Sequence, residues 1–483
     1  MSTLTKESVE MNEIKQMKRI ASLDFQRGLA IFMMVVLHEI QHIYDISWAT
    51  NIDQLLQKSP LIIASVFLLA FLSGWAGYFL LISAIVNVLA MTKKAAKGYD
   101  PNKILAKQIL TGVGLLIVGA ITEGLFYYGY IGSSIRSKGT TTWAIHTVED
   151  FWQRFGRAFF TMETLQAIGW CMIINGIIHY FLIKNKGYLK IKRNVLIYAG
   201  LTFAILALSY PIWRLIDPLY PIWPNEGTAR SYHNFVTYIF VVLTGDLEPL
   251  FPFLSVSFIG SIIGILLAKP KPSNKIPQYL GMTSLGFAIL GGILLVVGEI
   301  TKDPLVRFDF TWNRPNLSYF MFLLFAWIGV VALLLNYVEY KGNPEKFANR
   351  RFVRTMRLWG IVALTVYSLQ IFSLLPRWIF SFLVDDDLVR DKLPYEKAGY
   401  VLLVALFVTY CYHLLIVAWS KKNFKYSFEW FIVRLASLGT KEVSNRLDVD
   451  TIMNKTYWIS FKEPIVIDEK EKIEVIPKIN SEE

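Results

Sequence analysis

The run LSYFMFLLFAWIGVVALLLNYVE, residues 317–339, contains no Asp, Glu, Lys or Arg before its last residue. A helix that crosses the hydrocarbon core of a bilayer needs about 20 mostly apolar residues, and this run is long enough. Nine further runs have a comparable length and composition. They are residues 22–45, 60–91, 104–130, 162–184, 194–216, 235–268, 277–298, 358–384 and 397–419. The sequence therefore predicts an all-α fold, a polytopic membrane helix bundle of about ten transmembrane helices.

The composition of the whole chain agrees with this prediction. Hydrophobic residues make up 54% of the 483 residues and charged residues only 18%, which indicates that most of the chain contacts lipid or protein rather than water. The run 235–268 is interrupted by Gly245 to Pro249 and by Pro252, so a kink or a re-entrant element is expected there. Gly260 and Gly264, four residues apart, favour close packing against a neighbouring helix.

The positions of Lys and Arg predict the orientation of the bundle. Basic residues cluster in the short loops at 15–19, 93–107, 184–193, 269–275, 341–357 and 421–425. With ten spans, every one of these loops falls on the same side, which the positive-inside rule identifies as the cytoplasm. The net charge of +12 is therefore read as a topology signal, and no nucleic-acid partner is expected.

This reading divides the chain into four parts. Residues 1–20 form a cytoplasmic N-terminal segment, and residues 21–420 form the transmembrane domain. Residues 421–440 contain an amphipathic stretch, YSFEWFIVRL at 426–435, which is expected along the inner membrane surface. Residues 441–483 form a cytoplasmic tail. We expect an integral protein of the plasma membrane with both termini in the cytoplasm.

Ionisable side chains recur inside the first apolar run, RIASLDFQRGLAIFMMVVLHEIQH, residues 19–42. Arg27 and His38 are eleven positions apart, close to three helical turns, so both side chains face one direction about 16 Å apart. They belong to one stripe, formed by Asp24, Arg27, Met34, His38, Gln41 and His42. Because ionisable groups are unfavourable in hydrocarbon, the stripe is expected to line the bundle interior or a wet cavity, and Asp24 is close enough along the helix to pair with Arg27.

The motif that begins at Leu23 and Asp24, continues through Arg27 and Gly28, and reaches His38 resembles the first-helix signature of transmembrane acyltransferases. The families concerned are the acyltransferase-3 proteins, the heparan-alpha-glucosaminide N-acetyltransferase catalytic domain and the YeiB-like proteins. Weaker patches in the same order along residues 19–436 resemble further family motifs, namely Phe71 to Gly74, Thr164 to Gly169, Phe258 to Gly264, Leu364 to Gln370, and Phe428 to Trp430 with Arg434. The late motif often ends in His in those families, whereas here it ends in Gln370.

The resemblance implies an enzyme that transfers an acyl group, commonly acetyl, from cytoplasmic acetyl-CoA or another acyl-CoA to a hydroxyl or amine. The acceptor would be a glycan or a lipid-linked molecule at the outer side. His38 inherits the catalytic role, and the further catalytic candidates are Arg27, Asp24, Glu39 and Glu123. Arg27, Arg354 and Arg357 are the candidates for binding the CoA phosphates at the inner mouth. No metal is expected, and the resemblance permits a homodimer.

Two other classes of protein fit parts of the sequence. His38-Glu39-Ile40-Gln41-His42 matches the H-E-x-x-H pattern of zinc metalloproteases, in which the two histidines bind zinc and the glutamate is the base. No segment resembles the element that supplies the third zinc ligand in intramembrane proteases of this kind. A transporter or flippase without chemistry would also have about ten helices, broken segments and central ionisable residues.

Overall fold

The computed structural model describes most of the chain from Arg19 to Lys462, and the statements below concern these residues. They comprise residues 19–45, 54–55, 57–60, 62–65, 74–126, 131–132, 135, 161–219, 235–245, 247–269, 271–308, 314–384, 386–437 and 448–462. Within these ranges the chain forms helices and no strands, apart from isolated bridges between Arg19 and Trp458 and between Tyr44 and Leu393.

Sixteen α-helices are numbered here in chain order. The first eight are α1 (Ala21–Ile43), α2 (Trp75–Ala96), α3 (Pro101–Leu125), α4 (Thr164–Ile183), α5 (Ile191–Ile216), α6 (Phe235–Thr244), α7 (Leu250–Leu267) and α8 (Ile276–Thr301). The others are α9 (Leu317–Leu335), α10 (Pro344–Ala348), α11 (Arg351–Ile361), α12 (Ala363–Ser368), α13 (Leu374–Val384), α14 (Ala398–Ser420), α15 (Phe428–Leu435) and α16 (Val449–Asn454). Short 3-10 turns at Gly187–Leu189, Gln370–Ser373 and Tyr395–Lys397 and a π-helical turn at Asn336–Tyr340 link some of them.

The predicted fold class is confirmed. Eight helices in the described part of the chain are long and apolar enough to cross a bilayer; they are α2, α3, α4, α5, α7, α8, α9 with its π-helical extension, and α14 with the turn before it. Helix α1, 23 residues long, is more polar than these eight. The protein is therefore an all-α, polytopic, integral membrane helix bundle.

Two of the predicted apolar runs are broken in the structure. The run 235–268 becomes α6 and α7 with residues 245–249 between them, as Gly245 and the prolines predict. The run 358–384 is divided into the end of α11, α12, a 3-10 turn and α13. These breaks let one apolar run change direction inside the bundle.

Polar side chains define where several helices begin. The carboxylate of Asp100 accepts a hydrogen bond from Asn102 N–H at 2.9 Å, and Pro101 occupies the first position of α3. The side chain of Asn316 accepts from Tyr319 N–H at the start of α9. Such caps satisfy amide groups that have no partner within the helix.

Glycines allow the closest helix contacts. A Cβ atom on Gly28 of α1 would lie 1.6 Å from the carbonyl oxygen of Met356 in α11. Cβ atoms on Gly260 and Gly264 of α7 would lie 2.7 Å and 2.8 Å from backbone carbonyl oxygens of α2. The predicted close packing at Gly260 and Gly264 is therefore confirmed, and α1 and α11 cross backbone to backbone.

The amphipathic stretch 426–435 contacts two helices of the bundle. It forms α15, which packs against α3 at Gly114, where a Cβ would lie 3.3 Å from Ile432 and 3.5 Å from Leu435. The carboxylate of Glu429 bonds to the first turn of α12. Helix α15 therefore packs against α3 and α12, and its position along the inner membrane surface stays a prediction.

The described C-terminal segment, residues 448–462, returns to the beginning of α1. Arg19 N–H donates to Tyr457 O at 3.2 Å, and Ile459 N–H donates to Arg19 O at 3.0 Å. Phe461 N–H donates to the carbonyl of Glu339 at 3.0 Å. The first and last described residues therefore meet at the same end of the bundle.

Candidate functional site

A cavity of about 290 Å³ lies between the helices of the bundle, and one face of α1 forms part of its wall. Arg27, Met34, His38 and Gln41, four members of the predicted polar stripe, line this cavity together. Other helices contribute further lining residues: Trp75, Ser83 and Asn87 of α2, Thr111 and Leu115 of α3, Thr164 of α4, Leu364 and Tyr367 of α12, and Glu429 and Ile432 of α15. The stripe therefore faces a cavity, with Arg27 and His38 about three helical turns apart along it.

His38 is held by a residue from the far end of the chain. Its Nδ1 lies 2.6 Å from Oε1 of Gln370. Gln370 begins the 3-10 turn after α12, and it is the residue at which the late motif departs from the family pattern. The structure thus joins the first-helix motif to the late motif that ends in Gln370.

The Arg27 end of the cavity is rich in charge. Arg27 lines the cavity, but the ion pair that the structure records for Asp24 is with Arg19, 2.9 Å from Nη2 to Oδ2. The predicted pair of Asp24 with Arg27 is thus replaced by a pair with the residue five positions before Asp24. Lys93 of α2 interacts electrostatically with both Arg19 and Asp24, so the basic end of α2 lies beside the beginning of α1.

Glu39, a predicted catalytic candidate, pairs with α13 and is not among the residues that line the cavity. Its carboxylate forms a buried ion pair with Arg377 of α13, 2.7 Å from Oε2 to Nε, and the two side chains are 4% and 1% exposed. This pair fixes the side of α1 that faces α13. A carboxylate in such a pair is a poor base, because its negative charge is already compensated.

His42 packs on His38 with the ring centroids 6.1 Å apart and the ring planes at 80°. No group of three or more His, Cys, Asp or Glu side chains with metal-binding geometry occurs within the described residues. The H-E-x-x-H pattern thus supplies two adjacent imidazoles and an ion-paired glutamate there.

Tyr367 brings a second set of carboxylates to the cavity wall. Its side chain lies near Thr164 and interacts electrostatically with Glu123, Glu163 and Glu248. Thr164 also donates to Oε1 of Glu248 at 3.0 Å. Glu123, a predicted catalytic candidate, therefore lies near the wall through Tyr367 rather than beside His38.

Glu429 of α15 lines the cavity and caps a helix. Its carboxylate accepts hydrogen bonds from the N–H groups of Leu364 and Thr365 at 2.7 and 3.2 Å, and another from the Thr365 hydroxyl. A carboxylate at a helix N-terminus is stabilised by the unpaired amides and by the helix dipole. Glu429 therefore fixes the start of α12, the helix that leads to Tyr367 and Gln370.

Arg354 and Arg357, two of the predicted CoA ligands, contact the C-terminal segment and are not among the residues that line the cavity. Arg357 is buried, and its guanidinium donates to the carbonyl oxygens of Ala348 and Ile452 at 3.2 and 2.8 Å and lies over the ring of Trp458. Arg354 donates to the side chain of Asn454 at 2.9 Å. Of the three arginines expected at the CoA phosphates, Arg27 is the one in the cavity wall.

Three residues of the site, Arg377, Tyr367 and Glu429, were not predicted from the sequence, although each stands where the sequence gives a signal. Arg377 is a single cation within the apolar run 358–384, and such residues usually have a specific buried partner. Tyr367 and Glu429 stand inside quoted motifs, but neither was assigned a role. Their contacts join segments far apart in the chain.

Fold and site together define a polytopic membrane protein with an internal, mostly apolar cavity that has an arginine in one part and a hydrogen-bonded histidine in another. A scan against protein-family models found no model that matches the chain, and a search of curated proteins found no match.

Proposed function

We propose that this protein is an integral membrane acyltransferase that moves an acyl group from acyl-CoA, with acetyl-CoA as the expected donor, to a hydroxyl or amine. The observation that carries the proposal is that Arg27 and His38 line one cavity, with His38 hydrogen-bonded to Gln370. A cationic group for the CoA phosphates and a base for the transfer would then lie along one path.

The shape and lining of the cavity suit the donor. A volume of about 290 Å³ accommodates a thin chain such as the pantetheine arm with a short acyl group, but not the whole nucleotide. Apolar residues such as Met34, Phe79 and Leu115 form much of the wall and suit that chain. The polyanionic part of CoA would stay at the Arg27 end, where Arg19 and Lys93 add positive charge.

In the proposed reaction the neutral imidazole of His38 accepts the proton of the acceptor as its oxygen or nitrogen attacks the thioester carbonyl. The carbon–sulfur bond breaks, and the proton passes to the leaving thiolate. The products are the acylated acceptor and free CoA. In a two-step route the imidazole would itself carry the acyl group before the acceptor takes it.

The proposal includes an orientation. The Arg27 end faces the cytoplasm, where acyl-CoA is found, and the acceptor reaches His38 from the opposite side as a glycan or a lipid-linked molecule. The support is the set of basic loops in the sequence together with the cluster of Arg19 and Lys93 at the start of α1. Plasma-membrane localisation with both termini in the cytoplasm belongs to the same proposal.

The other two classes receive less support from the site. A zinc protease needs Glu39 as a free base, whereas Glu39 is paired with Arg377. A transporter has no need for a histidine held by an amide at the cavity wall, and it would not release free CoA. The enzyme is therefore the function that the geometry supports best.

The test uses the full chain reconstituted in liposomes, with labelled acetyl-CoA supplied on one side of the membrane and a mixture of amino sugars, glycans and lipid-linked sugars on the other. We expect label on an acceptor and free CoA on the donor side when the donor is on the side of Arg27. His38→Ala should lose transfer, and His413→Gln is the control that should retain it. His413 contacts Trp359, and neither residue is among those that line the cavity.

Passage of label across the membrane as intact acetyl-CoA or as an unchanged acceptor, without free CoA, would indicate a transporter rather than an enzyme. Stoichiometric zinc in the purified protein that is lost in His38→Ala or His42→Ala would favour the protease. Transfer that proceeds only with the donor on the other side would reverse the orientation.

A further inference from the structure

The contact between His38 and Gln370 contains more information than its distance. Gln370 makes two hydrogen bonds, one through each end of its amide. Oε1 lies 2.6 Å from Nδ1 of His38, while Nε2 donates to the carbonyl oxygen of Tyr367 at 3.1 Å. Because that carbonyl can only accept, the NH₂ group of the amide must face Tyr367, and the oxygen must face His38.

The orientation of the amide decides the tautomer of the histidine. An amide oxygen only accepts hydrogen bonds, so a 2.6 Å contact requires a hydrogen on Nδ1 of His38. In a neutral imidazole the other nitrogen, Nε2, then carries the lone pair. The hydrogen bond at Nδ1 therefore leaves Nε2 as the nitrogen that can act as base or nucleophile.

The backbone around Gln370 is built to keep this orientation. Helix α12 ends at Ser368, and Leu369 has φ −101° and ψ 33°, so the helix turns tighter at Gln370. The hydroxyl of Tyr412 in α14 donates to the Leu369 carbonyl at 3.0 Å. This bond gives the carbonyl at the break a partner and ties the turn to a second helix.

The charged neighbours of His38 do not compete for Nδ1. Glu39 and Arg377 interact with His38 electrostatically, but they are paired with each other at 2.7 Å. The other imidazole nearby, His42, contacts the His38 ring at a centroid distance of 6.1 Å. The hydrogen-bond partner that the structure gives Nδ1 is the amide of Gln370.

We infer that Gln370 is a positioning residue, whose amide, fixed by the Tyr367 carbonyl, holds His38 in the Nδ1–H tautomer with Nε2 as the reactive nitrogen. The inference rests on the proposed function for its catalytic meaning, since it names the residue that prepares His38 for transfer. The tautomer itself is a property of the resting protein and can be measured without any substrate.

The experiment is ¹⁵N nuclear magnetic resonance of the full chain in lipid with ¹⁵N-labelled histidine, because protonated and unprotonated ring nitrogens of a neutral imidazole have well-separated shifts. The spectrum of a His38→Gln variant, subtracted from the native one, identifies the signals of His38. Gln370→Met keeps a side chain of similar length and removes the acceptor. Ser373→Ala is the control, because Ser373 lies in the same turn and its buried hydroxyl has no hydrogen-bond partner among the residues that the structure describes.

We expect Nδ1–H in the native protein and in Ser373→Ala, and a mixture of both tautomers in Gln370→Met. In the transfer assay Gln370→Met should lower kcat about 100-fold with an unchanged KM for acetyl-CoA, by analogy with the loss of an orienting partner in catalytic triads, which costs up to about 10⁴-fold.

An Nε2–H signal for His38 in the native protein would overturn the inference, even if Gln370→Met does not fold. An unchanged tautomer in Gln370→Met would overturn it as well, as would a raised KM with unchanged kcat. If the protein transfers no acyl group, the proposed function fails, but the tautomer measurement still decides the role of Gln370.

Discussion

The carboxylate of Glu39 and the guanidinium of Arg377 are 2.7 Å apart in a nearly solvent-free contact, one residue away from His38. Helix α1 thus has two polar faces, one toward the cavity and one toward α13. Opposite charges buried in this way stabilise each other only as a pair. The pair is expected to determine the rotation of α1 and so the direction in which His38 points.

Removing one partner of this pair should be strongly destabilising. Glu39→Gln or Arg377→Met leaves one buried charge without compensation, and we expect each to lower the free energy of unfolding by about 3–5 kcal/mol. Thermal unfolding in detergent measures the effect. The double variant Glu39→Met with Arg377→Met should recover most of the loss.

The control is Glu299→Gln, which removes half of an ion pair with Arg307 in which both side chains are about half exposed. This change should alter stability by less than about 1 kcal/mol. Equal effects of the two single changes and of the control would contradict a buried ion pair at Glu39.

The contact between Gly28 and Met356 predicts a steric requirement for glycine in the first motif. Gly28→Ala places Cβ 1.6 Å from a backbone carbonyl, which a side-chain movement cannot relieve, so α1 and α11 must separate. We expect a loss of folded protein, or a marked decrease in the unfolding temperature, in fluorescence-detected size-exclusion chromatography.

Gly281→Ala in α8 is the matched control, because a Cβ there meets no atom within 4 Å. In a helix this change should be neutral or stabilise by up to about 1 kcal/mol. Normal folding of Gly28→Ala would show that the two helices do not cross at this residue.

Arg357 is expected to fasten the C-terminal segment. Arg357→Ala removes two hydrogen bonds to backbone carbonyls and the contact with Trp458, so the amides of residues 448–462 should exchange hydrogen faster with solvent. Hydrogen–deuterium exchange detected by mass spectrometry measures this directly. Arg351→Ala, at the exposed start of α11, should leave the segment protected. A higher KM for acetyl-CoA with unchanged exchange would instead assign Arg357 to CoA binding.

Asp303, which follows α8, gives a pH-dependent prediction. Partial burial alone would raise the pKa of Asp303, but hydrogen bonds from the Tyr210 hydroxyl and the Leu305 N–H, together with Arg214, outweigh it and hold the pKa below its usual value. A lowered pKa in the folded state means that the ionised form contributes stability above the unfolded pKa. That contribution is lost as the pH falls through the folded pKa.

Asp303→Asn should therefore destabilise the protein at neutral pH, and the difference from the native protein should shrink as the pH falls below the ordinary pKa of an aspartate. Unfolding temperatures measured along a pH series test this, and Tyr210→Phe should reduce the same difference. A difference that is constant over the series would mean that the Asp303 charge does not contribute.

The helices were predictable because hydrophobic length is a local property of the sequence. The cavity face of α1 was predictable for a related reason: the spacing of Arg27 and His38 alone places them on one side of a helix. The breaks around Gly245 followed from glycine and proline. By contrast, nothing local indicated that the run 358–384 divides at Leu369, where a hydroxyl from α14 provides the missing bond.

The partners of the site residues were not predictable from one sequence. The spacing of Asp24 and Arg27 favours their pairing, yet the structure pairs Asp24 with Arg19. Glu39 and Arg377 are 338 positions apart, so only the folded chain shows their contact.

In the proposed function His38 acts in acyl transfer from acyl-CoA inside the cavity. The most direct measurement is the rate at which the purified full chain releases free CoA from labelled acetyl-CoA in the presence of the acceptor mixture, compared between the native protein, His38→Ala and His413→Gln. If His38 is the base of the reaction, His38→Ala should lower this rate by about 100-fold or more while the protein still folds and binds CoA, and His413→Gln should retain the rate. Full turnover by a folded His38→Ala protein would show that His38 does not carry out the transfer.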